Sequence, residues 1–112
     1  MRWVLLFLFL GACSKGPEAD LPYISQARSL VAEWALVNEQ ARQDKLTPTY
    51  VETMRKSIRQ QLQTNSRSLS EPDSAYGHEI ASVLREPDDA SAEQLRAHCA
   101  RLKQIEDSFE SA

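Results

Sequence analysis

From Leu21 onward the apolar residues fall three and four positions apart. Ile24, Ala27, Val31, Trp34, Val37 and Ala41 make one stripe, the spacing of an amphipathic helix. Pro22 suits its entry, and Arg42 and Lys45 lie near its end, where cations oppose the negative pole of the helix. Leu30, Ala35 and Leu36 lie off the stripe, so this helix is either the central one or carries a docking surface. Thr47-Pro48 is a start signal for a second helix, with Tyr50 or Val51, then Met54, Ile58 and Leu62 inward, and a reach toward Leu69. The connection near Asp44 to Leu46 is short, which predicts an antiparallel hairpin.

Ser70 to Ser74 reads as a break, followed by a shorter helix from Asp73 to Glu86 with Tyr76, Ile80, Val83 and Leu84 facing inward. Gly77 weakens its first turn. After Pro87-Asp88-Asp89, a last helix carries the stripe Ala92, Leu95, Cys99, Leu102, Ile105 and Phe109. Ser91 with Gln94 forms a candidate capping box, and Asp88 is the competing cap. No run alternates with period two. Each helix has one apolar face to hide, so residues 23–112 are expected to form an all-α, small antiparallel bundle of three to four helices.

The N-terminal residues follow another pattern. Arg2 precedes eight consecutive apolar residues, Trp3 to Leu10, and the small pair Gly11-Ala12 precedes Cys13. As helix the apolar block rises only about 12 Å, against a bilayer core of roughly 30 Å, so it is too short to span. Charged, apolar and small residues in that order read as an export signal. Leu10-Gly11-Ala12-Cys13 resembles the lipobox of bacterial lipoproteins. The resemblance implies cleavage between Ala12 and Cys13, a diacylglyceryl group on the Cys13 sulfur, and a location at a membrane facing the periplasm. Ser14 resembles the outer-membrane sorting signal of the same family. Residues 13–22 are then a lipid-modified tether, and residues 1–12 a leader removed from the mature chain.

Composition excludes more than it assigns. The chain has 13 basic and 16 acidic side chains, and loss of the leader removes only Arg2, leaving a net charge of about −4. A nucleic-acid binder would carry a basic patch, and a protein held on anionic lipid by charge would carry a Lys/Arg cluster; the sequence has neither. With Cys13 lipidated, Cys99 is the only thiol and reads as a small buried residue; its alternative is a redox-active thiol, with Arg96 and Arg101 nearby. His78 and His98 do not share a spacing that chelates with Cys99, so no metal and no cofactor is expected. Glu86, Asp88, Asp89 and Glu93 cluster where a helix N-terminus would draw acids.

The reading is a membrane-anchored, non-enzymatic interaction module for an envelope protein, with Trp34, Leu36 and Leu30 as the candidate partner face. The alternatives are a carrier with a cavity lined by Met54, Trp34 and Phe109, an enzyme using Asp88, Glu93 or His78, and a cytosolic helical protein if the lipobox is accidental.

Overall fold

A computed structural model describes residues 17–110. They form four α-helices: α1 (Pro17–Arg42), α2 (Pro48–Arg67), α3 (Ala75–Leu84) and α4 (Ala92–Glu110), with no strand among the described residues. The small helical bundle expected from the stripes is the fold. Helix α1 is central, packing most extensively on α4, then on α2, with α3 bridging the other three. Ile24, Ala27, Val31 and Trp34 of α1 meet Ile58 and Leu62 of α2, Tyr76, Ile80 and Val83 of α3, and Leu95 and Leu102 of α4 in one core. Each of these residues leaves water almost completely, which contributes roughly 1.5–3 kcal/mol for each large side chain.

The helix boundaries follow from local chemistry. Thr47 is in an extended conformation and its side chain accepts the Tyr50 N–H, with Pro48 opening α2. Ser74 does the same for Gly77 at the start of α3. Ser91, not Asp88, caps α4: its hydroxyl accepts the Gln94 N–H at 3.0 Å. At the end of α1 the Asp44 N–H reaches the Ala41 carbonyl and the Lys45 N–H reaches the Gln40 carbonyl. That pairing is a Schellman closure, and it holds Asp44 in the left-handed region at φ 57°. Gly77 has a packing reason: a Cβ there would lie 2.2 Å from the Pro72 carbonyl oxygen.

Three expectations need correction. The first helix does not wait for Pro22; it begins at Pro17, so residues 17–22 of the expected tether are helical and Pro22 lies inside α1. Proline there removes the hydrogen bond to the Glu18 carbonyl. Asp20, two residues before it, ties this end of the helix to Ser70, Glu71 and Tyr76. The third helix is shorter than read, because Ser74 caps it and Arg85 closes it. On α4 the buried face is turned toward His98 and Glu106, leaving Cys99, Ile105 and Phe109 only partly buried.

Candidate functional site

Ala12 and Cys13, the expected cleavage and lipidation residues, lie outside the described residues. The expected partner face comes apart. Trp34 is 1% exposed and Leu30 is 7% exposed, both in the core, while Leu36 is 50% exposed. The periodicity of α1 explains this: Trp34 and Leu30 are four apart and turn inward together, and Leu36 lies about 200° round the helix from Trp34. The exposed companion of Leu36 is Tyr50 on α2, 49% exposed, and a shallow groove of about 180 Å³ between them includes Leu46 and Met54.

Met54, Trp34 and Phe109 do not share a cavity wall. Phe109 meets Tyr76 edge-on at 5.8 Å, Met54 borders the Leu36 groove, and Trp34 sits under the Arg59 guanidinium at 4.8 Å. Asp88, Glu93 and His78 are exposed on three different segments, and Asp88 is ion-paired with Arg59 at 2.9 Å. Among the described residues no group of three His, Cys, Asp or Glu side chains is arranged to hold a metal ion. The Cys99 thiol is pushed up from its ordinary value by burial, more than Arg28 and Arg96 pull it down, so it is a weakened nucleophile. Arg101, the other expected activator, is instead on Glu79 at 2.9 Å.

What the sequence reading missed are the buried polar side chains. Asn38, 2% exposed, donates to the Asp88 and Ala90 carbonyls at 3.0 and 2.7 Å, and Trp34 Nε1 donates to the same Asp88 carbonyl at 3.0 Å. Arg59 donates to the Leu84 and Glu86 carbonyls, both at 2.8 Å. Together they clamp the α3–α4 connection onto α1 and α2. His98 lies between two carboxylates: Nδ1 is 2.5 Å from Glu79 and Nε2 is 2.7 Å from Glu86. The acidic cluster around residue 88 is thereby divided between two partners, Glu86 going to His98 and Asp88 to Arg59.

Asp20, 1% exposed, receives the Ser70 N–H and hydroxyl, the Glu71 N–H and the Tyr76 hydroxyl at 2.6–3.1 Å. Burial pushes its carboxyl up, but the hydrogen bonds from Tyr76, Ser70 and Glu71 outweigh that and hold it below its ordinary value. Burial and the bond to Asp20 push the Tyr76 hydroxyl up to about 12. This centre is closed and structural, since its oxygens are occupied by donors from the chain itself.

The other end of the bundle, beside the α1–α2 turn, is open. A groove of about 840 Å³ runs past Ala41, Leu46, Pro48 and Val51 to Arg55 and Arg59. Leu46 borders both this groove and the one beside Leu36, so the two meet at the tip of the α1–α2 hairpin. The fold and this tip define the class no further than a four-helix α-protein with a grooved end. Comparisons with protein families, curated proteins and solved structures gave no match.

Proposed function

We propose that the chain is a bacterial lipoprotein, anchored through Cys13 at a membrane facing the periplasm, whose helical bundle is a non-enzymatic interaction module of the cell envelope. The observation that carries the reading is the order Arg2, Trp3 to Leu10, Gly11-Ala12, Cys13. Two or three acyl chains, at roughly 0.8 kcal/mol for each buried CH₂, suffice for stable attachment. Ser14 favours the outer membrane. No helix among the described residues is long and apolar enough to cross a membrane, so the proposed attachment rests on the lipid.

The interaction role rests on the tip. Pro17 follows Cys13 by four positions, and α1 is 26 residues long, so its far end lies about 40 Å along the helix from its first turn. Leu36 and Tyr50 project near that far end, the part of the bundle an envelope partner would meet first. Intact mass and membrane fractionation of the protein and of a Cys13→Ser variant, expressed in a bacterial host, test the anchor. The native form should lose residues 1–12, gain acyl mass and pellet with membranes, and the variant should not. Two soluble forms with intact N-termini would end the lipoprotein reading.

A further inference from the structure

We propose that the groove beside the α1–α2 turn binds a small organic carboxylate with an apolar body, and that Arg55 receives the carboxylate. Asn38 lies buried on α1. Its Nδ2 must face the Asp88 and Ala90 carbonyls, because both can only accept. Its Oδ1 is therefore aimed at Arg55, which donates through Nε at 2.8 Å. A buried amide, itself fixed by two backbone carbonyls, thus fixes the guanidinium.

With Nε engaged, Arg55 keeps the fork of its two terminal nitrogens, the edge that pairs with both oxygens of a carboxylate. Neither has a hydrogen bond or ion pair to any other described residue. Arg55 is partly buried, and among the charged residues lining the groove it alone combines partial burial with the absence of a carboxylate partner. Arg59, also partly buried, is fully used on Leu84, Glu86 and Asp88. A cation drawn partly out of water without a counter-ion is costly, and a ligand carboxylate relieves that cost.

The rest of the groove selects the body and the charge of the ligand. Ala41, Leu46, Pro48 and Val51 supply an apolar floor, and about 840 Å³ is within the range of small-molecule sites. Asp44 and Glu52, both exposed, line the same groove, so a second anionic group on the ligand meets repulsion there after Arg55 has taken the first.

The test is a titration of the full-length, ¹⁵N-labelled protein with octanoate, following the Arg55 Nε–H resonance and the amides of residues 41–56. The titration should saturate at Arg55. Arg55→Gln should weaken binding at least about tenfold, and Arg55→Lys, which keeps the charge but not the fork, by several-fold. Lys56→Gln, at an exposed position, should change it less than about twofold. Arg55→Lys keeps a donor for Asn38, so it remains informative if Arg55→Gln loses its fold. Octanol that binds as well as octanoate, or inorganic phosphate that does, would overturn the proposal, as would Arg55→Lys binding octanoate like the native chain. A response only to phosphatidylglycerol vesicles would overturn it in favour of a headgroup contact.

Discussion

Asp20 and His98 border one core from different helices, and they are satisfied in different ways. Asp20 is a single charge met by donors that cannot move far: two backbone N–H groups, a serine hydroxyl and the Tyr76 hydroxyl. His98 is met by mobile side chains, Glu79 and Glu86, 14% and 17% exposed, and by Arg101, which reaches Glu79 at 2.9 Å and His98 Nδ1 at 3.1 Å. Fixed dipoles around one ion require no further ion to be brought in. A chain of side chains that pair with one another transfers the problem outward until it reaches water. The first arrangement holds a chain segment in place, here the 68–76 connection and the first turns of α1; the second tolerates the loss of a member.

The largest effect expected from this contrast is at Asp20. Asp20→Ala leaves the Tyr76 hydroxyl without its acceptor in a site with no access to water, and frees two N–H groups. A loss of about 3 kcal/mol in urea unfolding is expected. Because Asp20 ties the first turns of α1 to the 68–76 connection, amide exchange there should accelerate more than in α2. A loss under about 1 kcal/mol would mean that the segment is held by its apolar contacts alone.

Next in size is the pH dependence that the same pair imposes. The Tyr76 hydroxyl is pushed up to about 12 by burial and by Asp20, whereas a tyrosine in the unfolded chain ionises near 10. Between those values the folded protein binds the extra proton. The corresponding stability is fully present below about pH 10 and is lost as pH rises through about 12, roughly 2–3 kcal/mol in all. Asp20 acts at the opposite end: its folded value is lowered, so its contribution is present above about pH 4 and disappears as pH falls through that lower value. Tyr76→Phe should flatten the alkaline limb. Spectrophotometric titration in which the phenolate signal that Tyr76→Phe removes appears near pH 10 would overturn the alkaline prediction.

The same comparison shows what could be read in the sequence. The fold was legible because four stripes at helical spacing, bounded by Thr47-Pro48, Ser74 and Ser91, leave no other way to hide their apolar faces. The polar centres were not legible, because a stripe drawn from apolar residues alone passes over them. Yet each buried polar residue lies in register with a stripe. Asp20 is four before Ile24, Asn38 four after Trp34, and Asn65 three after Leu62. His98 falls between Leu95 and Leu102, and Glu106 four after Leu102. A polar side chain in an apolar register was the available signal. The first turns of α1 are not legible for a related reason, since the contact that anchors them joins Asp20 to Ser70, fifty positions away in the chain. Arg55 had no such mark, since its neighbour Asn38 is brought to it only by the antiparallel packing of α1 and α2.

The smallest effect is expected at the second centre. His98→Leu replaces the imidazole by an apolar side chain of similar bulk in a site only 5% exposed, which favours the substitution through packing and opposes it through the two carboxylates left behind. Glu79 retains Arg101, and both glutamates reach water by turning their side chains, so the stranded charge is largely relieved. The net loss should be about 1–2 kcal/mol, smaller than for Asp20→Ala, and the remainder should shrink as salt screens the partly exposed pairs. The decisive quantity is the coupling with Glu86→Gln in a double-mutant cycle, read by urea unfolding. A coupling above about 2 kcal/mol would show that the side chains act as one unit, and the contrast between the two centres would fail; a coupling below about 1 kcal/mol is what a chain of side chains that ends in water requires.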